Sequence, residues 1–66
     1  MQHIVKTTAG TWYTITCTAP ATVTETIQGE IAPLATLEQP GTEKLRASGT
    51  SITVETEGRF RILPFD

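Results

Sequence analysis

The chain has 66 residues, 38% of them hydrophobic, and its seven acidic and five basic side chains give a formal net charge of −2. We expect one domain over residues 1–66 with a small core, because a chain this short buries only about 60% of its unfolded surface. Cys17 is the only cysteine and His3 the only histidine, which excludes an internal disulfide and a Cys/His zinc site, so self-association is the expected source of further burial.

The first two predicted strands flank a short loop at residues 8–10 (TAG). On either side of this loop, the alternation of apolar and polar residues predicts one row of side chains that face the core. Its members are His3, Val5, Tyr13, Ile15, Cys17 and Ala19. A three-residue loop that ends in glycine favours a hairpin. In that register Trp12 and Ile4 fall on the outward face, where Trp12 either anchors an interface or lies over Lys6.

Pro20 ends the second strand, because proline cannot donate to a sheet ladder. A third strand is predicted at residues 21–28, where Glu25 interrupts an apolar row formed by Val23 and Ile27. An unpaired buried carboxylate is unfavourable. This strand is therefore expected to be a partly wet edge strand or to carry a bulge.

Residues 31–37 (IAPLATL) are apolar, and Pro33 confines any strand here to a sheet edge or splits it. The sequence at residues 39–42 (QPGT) predicts a type II turn with Gly41 at the position of positive φ. A short strand then leads through residues 48–49 into the next strand, in a register typical of a tight hairpin.

The clearest alternation, at residues 50–63 (TSITVETEGRFRIL), predicts a further hairpin. A three-residue loop at 56–58 pairs the apolar rows of its two strands and gives Gly58 the positive φ of a G1 bulge. The pairs expected inside are Val54 with Phe60 and Ile52 with Ile62.

Six or seven short strands with turn signals between them predict an all-β fold, a small antiparallel β-sandwich or barrel joined by tight hairpins. Pro64 ends the last strand, and residues 64–66 form a tail that either lies across the domain or reaches a neighbour. Four apolar side chains do not fit the predicted core and are the candidate interface residues. They are Trp12, Ile4, Ile31 and Phe65.

No catalytic constellation is identifiable, so we expect no enzyme activity and assign no catalytic residue, cofactor or metal. His3 has no companion group for general base catalysis, and an ordinary strand position is the favoured interpretation. Cys17 lies in phase with Tyr13 and Ile15, which favours a small buried side chain over a reactive thiol.

The charged side chains of the last hairpin are expected to neutralise one another. Cross-strand ion pairs of Glu55 and Glu57 with Arg59 and Arg61 are the simplest interpretation. These arginines could form a small basic patch for a phosphate with Arg46, but Glu43, Glu55 and Glu57 on the adjoining segments are expected to neutralise much of it. Because the chain is weakly acidic, with its charges spread along it, we expect no nucleic-acid partner.

No stretch is long enough to span a membrane, and the first residues lack the apolar run of a classical secretory signal. No membrane partner is therefore expected. Residence in a cytoplasm is the default, and the unpaired cysteine is compatible with it.

Three stretches together resemble the small Thr-rich all-β structural proteins of tailed phages and prophages. They are residues 12–16 (WYTIT), 31–37 (IAPLATL) and 48–54 (SGTSITV). The resemblance lies in the order and spacing of strands and turns over most of the chain. It implies a minor virion component, capsid-decorating or tail-associated, that acts as a homo-oligomer and contacts a larger protein assembly. It also implies synthesis in the host cytoplasm, then residence in the virion, and no catalytic residues.

The alternative interpretation is a stand-alone small β-barrel that binds a peptide, a protein or a sugar. In that case Trp12 and Tyr13 lie near the ligand site. Solution mass separates the two hypotheses, because an assembly protein is expected to form oligomers and a stand-alone module is expected to be a monomer.

Overall fold

The computed structural model describes residues 1–65, and within them the chain forms seven antiparallel strands and no helix. The strands are β1 (Gln2–Lys6), β2 (Trp12–Cys17), β3 (Ala21–Ile27), β4 (Glu30–Leu37), β5 (Gly41–Arg46), β6 (Ser51–Thr56) and β7 (Phe60–Pro64). A four-stranded sheet has the order β1-β6-β3-β4, and a three-stranded sheet has the order β5-β2-β7. The predicted class, a small antiparallel all-β sandwich, is confirmed.

The core lies between the two sheets and takes alternate residues from their strands. Its ten buried hydrophobic residues are Tyr13, Ile15, Cys17, Ala21, Val23, Leu37, Leu45, Ala47, Ile52 and Val54. Most of the predicted inward rows are therefore confirmed. The outward positions of the four-stranded sheet are rich in threonine, namely Thr22, Thr24, Thr26, Thr36 and Thr53. Threonine suits such positions, because its branched side chain fits a strand and its hydroxyl tolerates water.

Only β3 and β4 are both consecutive in the chain and hydrogen-bonded to each other. They are joined by a two-residue turn in which Gln28 has φ +54° and Gly29 has φ +84°. Positive φ at both positions is characteristic of a type I′ hairpin turn. Each of the other five connections carries the chain from one sheet to the other.

The three hairpins predicted from the sequence are therefore wrong. Strand β6 pairs with β1 and β3, whereas β7 pairs with β2. The members of the other two predicted hairpins, β1 with β2 and β5 with β6, are likewise in different sheets. The physical reason is that alternation specifies only which side of a strand is buried. A hairpin and an arch that leads to the facing sheet satisfy it equally.

The turn chemistry predicted at two glycines is wrong for the same reason. The sequence predicts the positive φ of a G1 bulge at Gly58 and that of a type II turn at Gly41, but neither glycine has a positive φ. Gly41 is the first residue of β5. Both glycines belong to segments that cross between the sheets, so the backbone does not reverse there as it would in a hairpin.

Glu25 lies on the inward side of β3 and is only 3% exposed. Its Oε2 atom accepts a hydrogen bond of 3.1 Å from the backbone N–H of Ser48, in the β5–β6 connection. The edge-strand alternative is wrong, because β3 lies between β6 and β4. The bulge alternative is confirmed, since the β3–β4 register shifts between Val23 and Thr24. Pro33 lies in β4, which is an edge strand as predicted.

Candidate interaction surface

The outward side of the three-stranded sheet combines aromatic and basic side chains. The outward residues of its central strand, β2, are paired with outward residues of the neighbouring strands β5 and β7. Trp12 is paired with Arg46, Thr14 with Lys44 and Leu63, and Thr16 with Thr42 and Arg61. The N–H of Phe65 donates 2.8 Å to the Trp12 carbonyl, which extends the β7 ladder by one residue. We call this side, with Trp12, Leu63, Phe65, Lys44, Arg46, Arg59 and Arg61, the basic-aromatic face.

Three exposed apolar side chains form the centre and one end of this face. Trp12 is 47% exposed, Leu63 51% and Phe65 46%. The ammonium nitrogen of Lys44 lies 4.3 Å from the centroid of the Phe65 ring, a cation–π distance. The β2–β7 register brings the three residues together although Trp12 is some fifty positions from the other two.

Four of the five lysines and arginines of the chain lie on the basic-aromatic face. Arg59 is held at one end of it, because its N–H donates 2.8 Å to Thr18 Oγ1 and its carbonyl accepts 2.9 Å from the Thr18 N–H. Arg59 and Arg61 border a shallow depression of about 270 Å³. In the described part of β5, β2 and β7, no carboxylate occupies an outward position; Glu43, paired with Ile15, belongs to the inward side.

The predicted ion pairs of Glu55 and Glu57 with Arg59 and Arg61 are wrong, because β6 and β7 belong to different sheets. Glu57 instead forms a 2.9 Å ion pair with the N-terminal ammonium of Met1. The hydrogen bond from that ammonium, and then its charge, lower the pKa of the Glu57 carboxyl. Both groups are exposed, so the pair adds little stability. The arginines are thus not neutralised by these acids.

Three carboxylates gather instead at one end of the four-stranded sheet, where β3 begins and β4 and β6 end. They are Glu38, Glu55 and Glu57, and they line a shallow depression of about 680 Å³ together with Thr22 and Thr36. Glu55 is an outward residue of β6, paired with Thr22 on one side. We call this depression the acidic depression.

The four candidate interface residues do not form one surface. Trp12 and Phe65 lie side by side on the basic-aromatic face. Ile4 and Ile31, 78% and 73% exposed, lie on the other sheet in its two edge strands, β1 and β4. The predicted alternative in which Trp12 lies over Lys6 is wrong, because Lys6 pairs with Ser51 in the four-stranded sheet.

Sequence reasoning missed the contribution of Leu63 and Lys44 to this face. Their alternation with the buried Leu45 and the half-buried Ile62 was a usable signal, because it puts both on outward positions. What the sequence lacked was the register of β5 and β7 on β2, which brings them beside Trp12.

The two side chains considered for catalysis lie in different environments. His3 is in the edge strand β1, with its ring centroid 5.1 Å from that of Phe60. Cys17 is buried in the core. Within residues 1–65, no group of three or more His, Cys, Asp or Glu side chains is placed to hold a metal ion. Residues 1–65 also contain no helix that is long and apolar enough to span a membrane. The absence of enzyme activity stays a prediction.

Burial raises the pKa of the Cys17 thiol. We expect the native protein at pH 8 to react with a thiol reagent at least about 100-fold more slowly than the denatured chain, because reaction requires opening of the core. The thiol of the unfolded chain ionises near pH 8.5. The thiol therefore contributes stability below that pH that is lost as the pH rises toward the raised native pKa. Equal labelling rates for native and denatured protein would contradict the placement of Cys17 in the core.

Comparison with protein-family models, with the curated proteins and with the solved structures finds no match for this chain. The basic-aromatic face is the strongest starting point for a functional proposal, because it joins exposed aromatic side chains to most of the molecule's positive charge.

Proposed function

We propose that this chain is a non-enzymatic structural or assembly protein that acts as a homo-oligomer through its basic-aromatic face. The observation that supports this most is the patch of Trp12, Leu63 and Phe65 on the outside of a complete sheet. Tryptophan and arginine are enriched among the residues that dominate the binding energy of protein interfaces. Exposed aromatic residues surrounded by basic and hydroxyl side chains are typical of a contact surface.

The size of the domain supports the same proposal. The isolated chain exposes 4550 Å² of surface, and a standard protein interface buries roughly 800 Å² per partner. Such a contact would remove about a sixth of the exposed surface. That gain is large for a domain with a small core and no disulfide among its described residues.

The chain's resemblance to small structural proteins of tailed phages supports a further part of this proposal, namely that the homo-oligomer contacts a larger protein assembly. The chain is then a minor virion component that decorates a capsid or belongs to a tail, made in the host cytoplasm. Ile4 and Ile31, on the other sheet, offer contacts to that assembly that do not compete with Trp12 and Phe65. Co-purification of the chain with particles tests this part of the proposal.

A stand-alone binding module is the second candidate. The adjacency of Trp12 and Phe65, with the Thr14 hydroxyl in the next row, also suits a peptide, a protein or a sugar ligand. A small ligand at this place changes the fluorescence of Trp12 without a change in oligomeric mass. That combination favours the module over the assembly protein.

The proposed function is tested by light scattering over a range of protein concentrations. The monomer mass is 7.2 kDa, and we expect the wild type to exceed it as concentration rises. Trp12→Ala should weaken association at least roughly 30-fold, the effect of losing about 2 kcal/mol at an interface anchor. Ile31→Ala, which shortens an exposed apolar residue on the other sheet, is the control and should associate like the wild type. A wild type that stays monomeric at every concentration contradicts the homo-oligomer.

A further inference from the structure

The charge of the basic-aromatic face restricts how two copies can meet. In a two-fold symmetric dimer the same surface patch faces itself. The basic side chains of one copy, Lys44, Arg46, Arg59 and Arg61, would then face those of the other, with no outward carboxylate on the described strands of that sheet to separate them. Opposed like charges at an interface cost several kcal/mol. A contact through this face therefore needs a partner surface of negative charge.

The same chain presents such a surface at one end of its four-stranded sheet. The acidic depression carries Glu38, Glu55 and Glu57, and of these only Glu57 has an ion-pair partner within residues 1–65, the N-terminal ammonium. The depression is also lined by the exposed side chains of Met1 and Pro20, which offer apolar surface to an aromatic ring. It therefore matches the basic-aromatic face in charge and in apolar character.

The two surfaces have no residue in common. The basic-aromatic face is the outward side of the three-stranded sheet, whereas the acidic depression lies at the end of the four-stranded sheet where β3 begins and β4 and β6 end. A contact between them joins two different surfaces and is therefore heterologous. Contacts of this kind repeat from copy to copy, and they form a ring if the rotation closes or a filament if it does not.

We infer that copies of this chain associate head to tail, with the basic-aromatic face of one copy docked on the acidic depression of the next. This inference rests on the proposed function and adds the partner surface and the type of symmetry. The occupant of the basic-aromatic face is a second copy, and the charges that recognise it are carboxylates. Because opposite charges meet, association should weaken as salt concentration rises.

The test uses two variants of the full chain that remove charge without reversing it. Arg59→Gln/Arg61→Gln neutralises the basic-aromatic face, and Glu38→Gln/Glu55→Gln neutralises the acidic depression. All four positions are exposed, so the folds should survive, which circular dichroism verifies. Lys6→Gln and Glu30→Gln remove charges outside both surfaces and are the controls.

Each double variant alone should remain monomeric at concentrations where the wild type and both controls associate. A one-to-one mixture of the two double variants should form a species of twice the monomer mass and nothing larger. The arginine variant retains an intact acidic depression, and the glutamate variant retains an intact basic-aromatic face. One contact therefore forms between them, and no intact surface is left for a third copy. A two-fold dimer gives no such recovery on mixing.

The outcomes separate this inference from the proposed function. If the wild type associates but the double variants do so equally well, or if their mixture stays monomeric, the head-to-tail contact is wrong and the homo-oligomer stands. A wild type that is monomeric under all conditions removes both proposals. Binding of a single-stranded oligodeoxythymidylate to a monomeric wild type would identify a nucleic acid, and not a second copy, as the occupant.

Discussion

Ile15→Ala is expected to lower the free energy of unfolding by about 2–5 kcal/mol, the range measured for isoleucine or leucine truncation in protein cores. Ile15 is 0% exposed and lies in the middle of β2, the central strand of the three-stranded sheet. It is flanked in the sheet by Ile62 of β7 and by Glu43 of β5. The cavity left by truncation therefore opens between the two sheets, where the neighbouring strands are hydrogen-bonded and cannot collapse freely.

The effect is large relative to the whole stability of the domain. Native stability of roughly 0.05–0.15 kcal/mol per residue corresponds to about 3–10 kcal/mol for this chain. The melting temperature of Ile15→Ala should fall by at least about 10 °C. The measurement is a thermal and a urea denaturation followed by far-ultraviolet circular dichroism. Both proteins are compared at one concentration, since association stabilises the folded state.

Ile4→Ala is the matched control, because it removes the same atoms from a side chain that is 78% exposed. Its free energy of unfolding should lie within about 0.5 kcal/mol of the wild type. Equal destabilisation by the two variants would contradict the placement of β2 at the centre of the core. It would also contradict the assignment of Ile4 to an outward position of β1.

Gly58→Ala is the second substitution with a large expected effect, a loss of about 1–3 kcal/mol from overpacking. Gly58 lies in the β6–β7 connection. A Cβ atom added there would lie 2.6 Å from Thr18 Oγ1 and 2.8 Å from the Ala19 Cβ. The segments cannot separate without loss, because Thr18 and Arg59 exchange two hydrogen bonds of 2.8 and 2.9 Å. Urea denaturation of the variant measures the effect.

Two further substitutions make this prediction specific. Gly49→Ala places a Cβ where no atom lies within 4 Å and should be neutral or stabilising by up to about 1 kcal/mol. Gly58→Asn distinguishes the observed β6–β7 connection, which crosses between the sheets, from the hairpin that the sequence predicts. A G1 bulge tolerates asparagine at its positive φ, whereas the close approach to Thr18 makes asparagine at least as harmful as alanine. Recovery of stability in Gly58→Asn would favour the hairpin.

The contrast at Gly58 shows how far the sequence predicts this fold. Alternation identified the buried sides of β2 and β6, because burial of one face leaves a local period of two. It did not identify the partners of those strands, since the arch at Gly58 and a hairpin would bury Val54 and Ile52 in the same way. At the true hairpin, positive φ falls on Gln28 as well as Gly29. Glutamine there does not give the usual Asn-Gly signal of a type I′ turn.

The candidate surface was predictable in part for the same physical reason. Trp12 and Phe65 were recognisable as apolar residues that the core does not need. The separation of charge was not recognisable, because Glu55 and Glu57 are close in sequence to Arg59 and Arg61 and were expected to face them. The crossing of the chain between β6 and β7 places the glutamates with one sheet and the arginines with the other.

The interleaved strand order also constrains when the chain can fold during its synthesis. Of these seven strands, β1 precedes the others in the chain and has a partner only in β6, and β2 lies between β5 and β7. Apart from the β3–β4 hairpin, the early strands therefore leave the ribosome without their partners. Such non-local pairing makes folding slow compared with helical domains of similar size. The four-stranded sheet can be completed only after β6 has emerged and the three-stranded sheet only after β7. Until then, strands that still lack a partner are open to chaperones and to other nascent copies.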